Sequence, residues 1–194
     1  MIQKTNREAW LLNAIALVRP IFSEMHYEVP DCQVSCGFAS TGVKSGHIGQ
    51  CWSRKSSQGE INQIFISPAL SNPVEVLDTL VHELIHAVDD CQHKHGKEFK
   101  KMALKLGLVG PMRSACAGPK LKEKLVQLAA KLGEYPHSTL RVPAKVMARG
   151  NRPRAQCTTC GFQVSMLKKY LAFGPPICPK DKVEMQALGD WDAA

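Results

Sequence analysis

Between Asn72 and Cys91 the chain sets Leu77, Leu80, Val81, Leu84, Ile85 and Val88 at helical spacing, and it places His82-Glu83-Leu84-Ile85-His86 inside that apolar run. Asn72 reads as an N-cap and Pro73 as the first helical residue, so a helix is expected from 72 to about 91. The helix is apolar enough to be buried, and burying two imidazoles and a carboxylate without partners costs free energy. Residues four apart share a helix face, so His82 and His86 can reach one point. They are candidate metal ligands, with zinc the usual ion for such a pair. Glu83 between them is the candidate general acid/base, able to hold a water and take its proton. The bland alternative is two histidines satisfied by hydrogen bonds inside a core.

A hydrolytic zinc site takes three protein ligands and leaves a position open. The downstream candidates are His93 and His95, in Cys91-Gln92-His93-Lys94-His95-Gly96-Lys97-Glu98-Phe99. His95 is favoured because it opens the next expected helix, Gly96 to Leu106, which Gly107 stops. Gly96 would let the two helices approach closely. Asp89, one turn after His86, could orient it as a carboxylate partner.

Around this centre the pattern predicts a helix over 6–26, which Pro20 would kink or split. Strand-like runs follow near 32–39, 47–53 and 61–67. In the last, Ile61, Gln63, Phe65 and Ser67 share one face and Ile64 and Ile66 the other, as in a sheet covered on both sides. A further helix over 119–132 carries Leu121, Leu125, Leu128 and Leu132 on one stripe. The fold class is therefore α+β, a small antiparallel or mixed sheet packed on helices. The expected organisation is a domain over 1–132, a basic linker or arm over 133–156, and a small cysteine module with a tail over 157–194.

Cys157-Thr158-Thr159-Cys160 is one half of a zinc knuckle, and Cys178-Pro179-Lys180-Asp181 supplies the other after a gap of seventeen residues. Asp181 stands where a fourth cysteine is expected. Zinc accepts carboxylate oxygen, so Cys157, Cys160, Cys178 and Asp181 are candidate ligands of a second, structural zinc. Between the knuckles Lys168, Lys169, Tyr170 and Phe173 offer charges and rings for phosphate contact and base stacking, unless the rings fill a small core. Cys32, Cys36, Cys51, Cys91 and Cys116 have no ligand spacing and read as small hydrophobes.

Charge separates the chain. Residues 1–92 carry a net −4, residues 93–154 a net +12 and residues 155–194 none, for +8 overall. A block this basic suits a polyanion, nucleic acid foremost, although a solvated lysine face has the same composition. No apolar run reaches the roughly 18 residues of a membrane span, so no membrane role is expected. The polar first residues lack the features of a signal peptide, which points to the cytoplasm, where eight cysteines are thiols or metal ligands.

Thr79-Leu80-Val81-His82-Glu83-Leu84-Ile85-His86-Ala87 with His95-Gly96-Lys97-Glu98-Phe99 resembles the SprT/Spartan family of zinc metallopeptidases. Gly49-Gln50-Cys51-Trp52 and Ile61–Ser67 are similar to the strands before that family's active helix, and a zinc-ribbon-like end is common there. The resemblance implies a zincin-type active helix and a catalytic zinc on His82, His86 and His95, with Glu83 as acid/base. It also implies a protein substrate lying extended along an edge strand. It implies a DNA partner too, since family members cut proteins crosslinked to DNA; the compact layout fits a bacterial or a phage source, and a bacterial protein of this kind would be nucleoid-associated. The Asp181 substitution departs from the ribbon pattern. Two rival expectations are a zinc-containing nucleic-acid-binding protein without peptidase activity, and a peptidase with no DNA role.

Overall fold

The computed structural model describes residues 6–43, 46–141, 153–189 and 191. The chain is α+β with small mixed sheets, in two compact units, Met1–Pro143 and Ala144–Ala194. No helix among the described residues is long and apolar enough to cross a membrane.

In the first unit, helix α1 runs over Arg7–Ser23, with the Asn6 side chain accepting from Ala9 N at 2.7 Å. It buries Trp10, Leu11, Ala14, Ile15, Val18, Ile21 and Phe22. Pro20 does not split the helix, which runs on through it to Ser23. Pro20 and the Ala16 carbonyl it leaves without an N–H lie on the exposed side, where water can take the missing donor's place.

Strands β1 (Cys32–Cys36), β2 (Gly49–Trp52) and β3 (Asn62–Ile66) form one sheet in the order β1-β3-β2. β1 is parallel to β3 and pairs Val34 with Ile64; β2 is antiparallel and pairs Cys51 with Ile64. β2 is therefore an edge. One face of β3, Asn62, Ile64 and Ile66, is buried, while Gln63 and Phe65 on the other are only half-buried. The sheet is thus not covered on both sides as the apolar run suggested. Its outer face is closed by polar and local contacts: Gln63 Nε2 donates to Gln33 Oε1 at 2.7 Å, and the Phe65 ring lies against Gly37.

Helix α2 (Pro73–Val88) is the centre of the core. Asn72 Oδ1 accepts from the N–H groups of Val74 and Glu75, and Pro73 needs no donor at the first turn. Val76, Leu77, Leu80, Val81, Leu84 and Ile85 are fully buried, each worth roughly 1.5–3 kcal/mol of burial. Helix α3 (Lys97–Leu106) ends where Gly107 turns left-handed at φ +97°, a conformation that costs glycine little. A short hairpin of β4 (Leu108–Val109) and β5 (Cys116–Ala117) follows, then α4 (Pro119–Leu132), which buries Leu121 and Leu125.

The stretch after α4, expected to begin a linker at 133, packs as part of this unit up to 141. Tyr135 is 5% exposed, with its ring edge-on to Trp10 at 5.0 Å. Trp10 Nε1 donates to the Gly133 carbonyl, and Leu140 N to the Pro68 carbonyl. A buried aromatic pair is worth more than the flexibility that Gly133 and Pro136 offer. The rest of the expected arm, 142–152, lies outside the described residues.

In the second unit β6 (Arg154–Gln156) is flanked by β7 (Gln163–Ser165) and β8 (Gln186–Leu188), all antiparallel. Ala155, Cys157, Cys178 and Met185 form its core, with Val164 and Trp191 against them.

Candidate functional site

α2 presents His82 and His86 on one face, and the turn after it brings His95 back. His82 Nε2 and His86 Nε2 each lie 3.2 Å from His95 Nε2. The rings share a floor: Phe99 of α3, fully buried, stacks on His86 at 4.4 Å and lies 5.0 Å from both His82 and His95. Burial holds His82 down at about 4 and His86 at about 3, with neighbouring histidines adding to both; His95 is lowered by burial and then by Arg113 and His47. All three are neutral at pH 7 and have lone pairs to offer.

The turn that returns His95 passes through three left-handed residues, Asp90, Cys91 and Lys94, at φ +52°, +60° and +47°. It is held from inside. Cys91 N donates to the His86 carbonyl at 2.8 Å, and Gly96 N to that of His93. Asp90 accepts from Arg54 N and from Asn62 Nδ2. Asp89 was expected to orient His86; instead its Oδ2 accepts from His93 N and faces His93 Nδ1, both at 3.2 Å, because the turn folds back over it. His93 therefore anchors the turn and stays outside the cluster. Gly96 makes its close approach to the His93 carbonyl, 3.0 Å from where a Cβ would sit, within the turn itself.

Glu83, 6% exposed, points under edge strand β2. Burial raises its carboxyl to about 8, against a hydrogen bond from the Cys51 backbone that favours the charged form. A divalent cation beside it would return it to the carboxylate. Gly49 of β2 has no room for a side chain: a Cβ there would lie 2.5 Å from Glu83 Oε1 and 2.7 Å from Thr79 Cγ2. Beside these groups is a cleft of about 940 Å³, with β2 along one wall and Arg113, Ser114 and Cys116 among its other lining residues.

The three nitrogens fit one metal ion. Zinc–nitrogen bonds of about 2.0–2.1 Å place tetrahedral ligands about 3.3 Å apart, close to the separations here. Three neutral imidazoles converging on one another have too few protons to satisfy every pair, and a cation satisfies all of them.

In the second unit Cys157, Cys160, Cys178 and Asp181 form another compact cluster of donor atoms. Cys157 Sγ lies 3.2 Å and Cys178 Sγ 3.6 Å from Asp181 Oδ2, and Cys160 Sγ lies 3.6 Å from Cys178 Sγ. Zinc–sulfur bonds of about 2.3 Å set tetrahedral edges of about 3.5–3.8 Å, so this donor set also suits a metal. The Asp181 N–H points at Cys178 Sγ at 3.4 Å and lowers that thiol.

The rings between the knuckles do not fill a core. Phe173 is 83% exposed and Tyr170 43%, with ring centroids 6.2 Å apart and Lys169 Nζ 4.7 Å from the Tyr170 ring; Leu171 is the buried residue of that turn. In the first unit Lys97, Lys100, Lys101, Lys120 and Lys122 are exposed on α3 and α4, while Lys105 and Lys124 are engaged with the Met25 carbonyl and Glu24.

Three features of the site were not read from the sequence. Gly49 had a usable signal, since a glycine inside a strand pattern marks close backbone approach. The left-handed turn had only a weak one, since aspartate tolerates that conformation but Cys91 and Lys94 carry no mark of it. The contact of Cys51 with Cys91 joins residues forty positions apart, which spacing does not reveal. No family model, curated protein or solved structure matches the chain.

Proposed function

We propose that this chain is a zinc-dependent endopeptidase of the SprT/Spartan type, acting on proteins bound or crosslinked to DNA. One observation carries the reading. The Nε2 atoms of His82 and His86 each lie 3.2 Å from that of His95, beside the buried Glu83 carboxyl, in a cleft walled by the edge strand β2.

Zinc held by His82, His86 and His95 would polarise the scissile carbonyl and make water more acidic. Glu83 takes the proton from the attacking water and passes it to the leaving amine. The Cys51 N–H and the bare Gly49 backbone fix where that carboxylate sits. A peptide lies extended along β2, an edge strand of the sheet, past the three histidines. The second unit is a zinc-ribbon-like module, with Cys157, Cys160, Cys178 and Asp181 around a structural zinc. Its exposed Tyr170 and Phe173, next to Lys168 and Lys169, suit stacked bases and phosphate, and the lysines of α3 and α4 add charge.

A zinc protein without peptidase activity would close the histidine cluster with a fourth protein donor. Among the described residues that cluster has three, and the cleft beside it favours the open arrangement. The test is Glu83→Gln, assayed for protein cleavage with and without DNA and for bound metal. Retained zinc with cleavage lowered about 10²–10⁴-fold is expected. Undiminished cleavage would remove Glu83 from the chemistry, and with it this reading.

A further inference from the structure

Cys51 and Cys91 come from different parts of the first unit, the edge strand β2 and the turn after α2. Cys91 Sγ lies 3.5 Å from the Cys51 carbonyl, which sets its thiol beside that of Cys51 and helps to push the Cys51 thiol up. Both are half-buried, free thiols that line the cleft. Neither belongs to a cluster of metal-ligating side chains among the described residues. Two neighbouring thiols on separate backbone segments can be joined by a bond of about 2.05 Å.

The backbone at each cysteine is tied to the histidine–glutamate face. The Cys51 N–H holds the Glu83 carboxyl, and the Cys91 N–H holds the His86 carbonyl at 2.8 Å. Two residues before Cys51, the Gly49 backbone already rests on Glu83 with no space for one more carbon. Drawing the two sulfurs together pulls β2 against the turn, and the tight contact at Gly49 passes that movement to the carboxylate.

We propose that Cys51 and Cys91 are an oxidation site that forms a reversible disulfide and thereby stops the hydrolysis carried out by Glu83. A hydroperoxide oxidises one thiol to a sulfenic acid and is itself reduced to the alcohol, or to water when the oxidant is hydrogen peroxide. The second thiol attacks that sulfur, the S–S bond forms, and the hydroxyl leaves as water with the second thiol's proton. Two thiols lose two electrons and the O–O bond takes them up. The bond itself follows from the geometry of the pair; its effect on hydrolysis rests on the peptidase reading above.

The full-length, zinc-loaded, reduced protein is treated with hydrogen peroxide, alkylated and digested without reductant, and a parallel sample is assayed for protein cleavage. A Cys51–Cys91 crosslinked peptide is expected, with cleavage at least tenfold lower and restored by a phosphine reductant. Cys91→Ser, or Cys91→Ala should the serine disturb folding, should cleave at the wild-type rate and keep that rate after peroxide. Alkylated Cys51 and Cys91 after peroxide would overturn the proposal. So would a crosslink that leaves the rate unchanged, or a loss of cleavage that persists in the Cys91 variants. A crosslink in a protein that cleaves nothing even when reduced would uphold the thiol pair and overturn the peptidase reading instead.

Discussion

The two donor clusters differ in number, support and surroundings. The histidine cluster has three ligand atoms, two of them on a helix whose neighbouring residues are fully buried, and it borders a cleft of about 940 Å³. The cysteine cluster has four, all from two short turns, in a unit whose own core is Ala155, Cys157, Cys178 and Met185. Three donors beside a cavity leave a coordination position for chemistry; four donors close the shell. The first cluster needs the fold to hold it; the second, on the reading proposed above, would stand in for a core too small to hold a fold.

The sharpest way to break this contrast is to remove a ligand from each side. His86→Ala should lower bound zinc by one equivalent per chain and abolish cleavage, while the first unit keeps its helices, since α2 is held by its apolar residues. Cys160→Ala should remove the other equivalent and unfold the second unit, because in small structural zinc sites metal binding is itself folding free energy, of about 10 kcal/mol or more. Elemental analysis with circular dichroism reads both. If Cys160→Ala left the second unit folded, the cysteine cluster would not be its substitute core.

A smaller effect is expected at Gly49. Gly49→Ala places a methyl where Glu83 Oε1 and Thr79 Cγ2 already sit. The carboxylate must move, and a displacement of about 1 Å in a reacting group costs about 10²-fold in rate. The turnover number should fall by roughly that factor, with zinc content and KM close to wild type. Loss of zinc in this variant would mean that β2 supports the ligands and not the acid/base.

Asp181 tests the other side more gently. A thiolate is a softer donor than a carboxylate, so Asp181→Cys should tighten the second cluster's hold on zinc on the order of tenfold, or about 1.4 kcal/mol. Competition with a chromophoric chelator measures it. Unchanged affinity would indicate that the Asp181 carboxylate, 3.2 Å from Cys157 Sγ, contributes as much as a fourth sulfur.

Much of this arrangement is legible in the sequence. The apolar stripe of α2, the Asn72-Pro73 start and the Gly107 stop are local signals, and each appears where local chemistry placed it. His95 was favoured over His93 as the third ligand because it opens the next helix, and its Nε2 lies 3.2 Å from those of His82 and His86. Tertiary packing was harder. Tyr135 lies in a stretch rich in glycine and proline, yet its ring meets Trp10 from the other end of the unit. The partner of Asp89 depended on a turn through left-handed residues, so His93 took the place expected for His86. The half-buried outer face of β3 was hidden because Phe65 and Ile61 look apolar whatever covers them.

The smallest effect is a pH dependence confined to the histidine side and visible only without metal. Glu83 ionises at about 8 in the folded unit and at 4.5 ordinarily. Between these values the unfolded chain loses a proton that the folded unit keeps, so stability falls as pH rises towards 8. The histidines run the other way. Against an ordinary 6.5, His82 sits at about 4 and His86 at about 3, so below 6.5 the unfolded chain takes up protons that the folded unit refuses. Stability from these three groups therefore peaks near pH 6.5 and falls on both sides. From pH 6.5 to 8 the Glu83 contribution is about 2 kcal/mol, or roughly 4–8 °C in Tm for a unit of this size. In metal-free protein Glu83→Gln should remove this alkaline decline and leave the acid side intact. Zinc should shrink both limbs, since a cation at the three nitrogens favours neutral imidazoles and an ionised carboxylate alike. An alkaline decline that survived Glu83→Gln would place its source outside the histidine cluster.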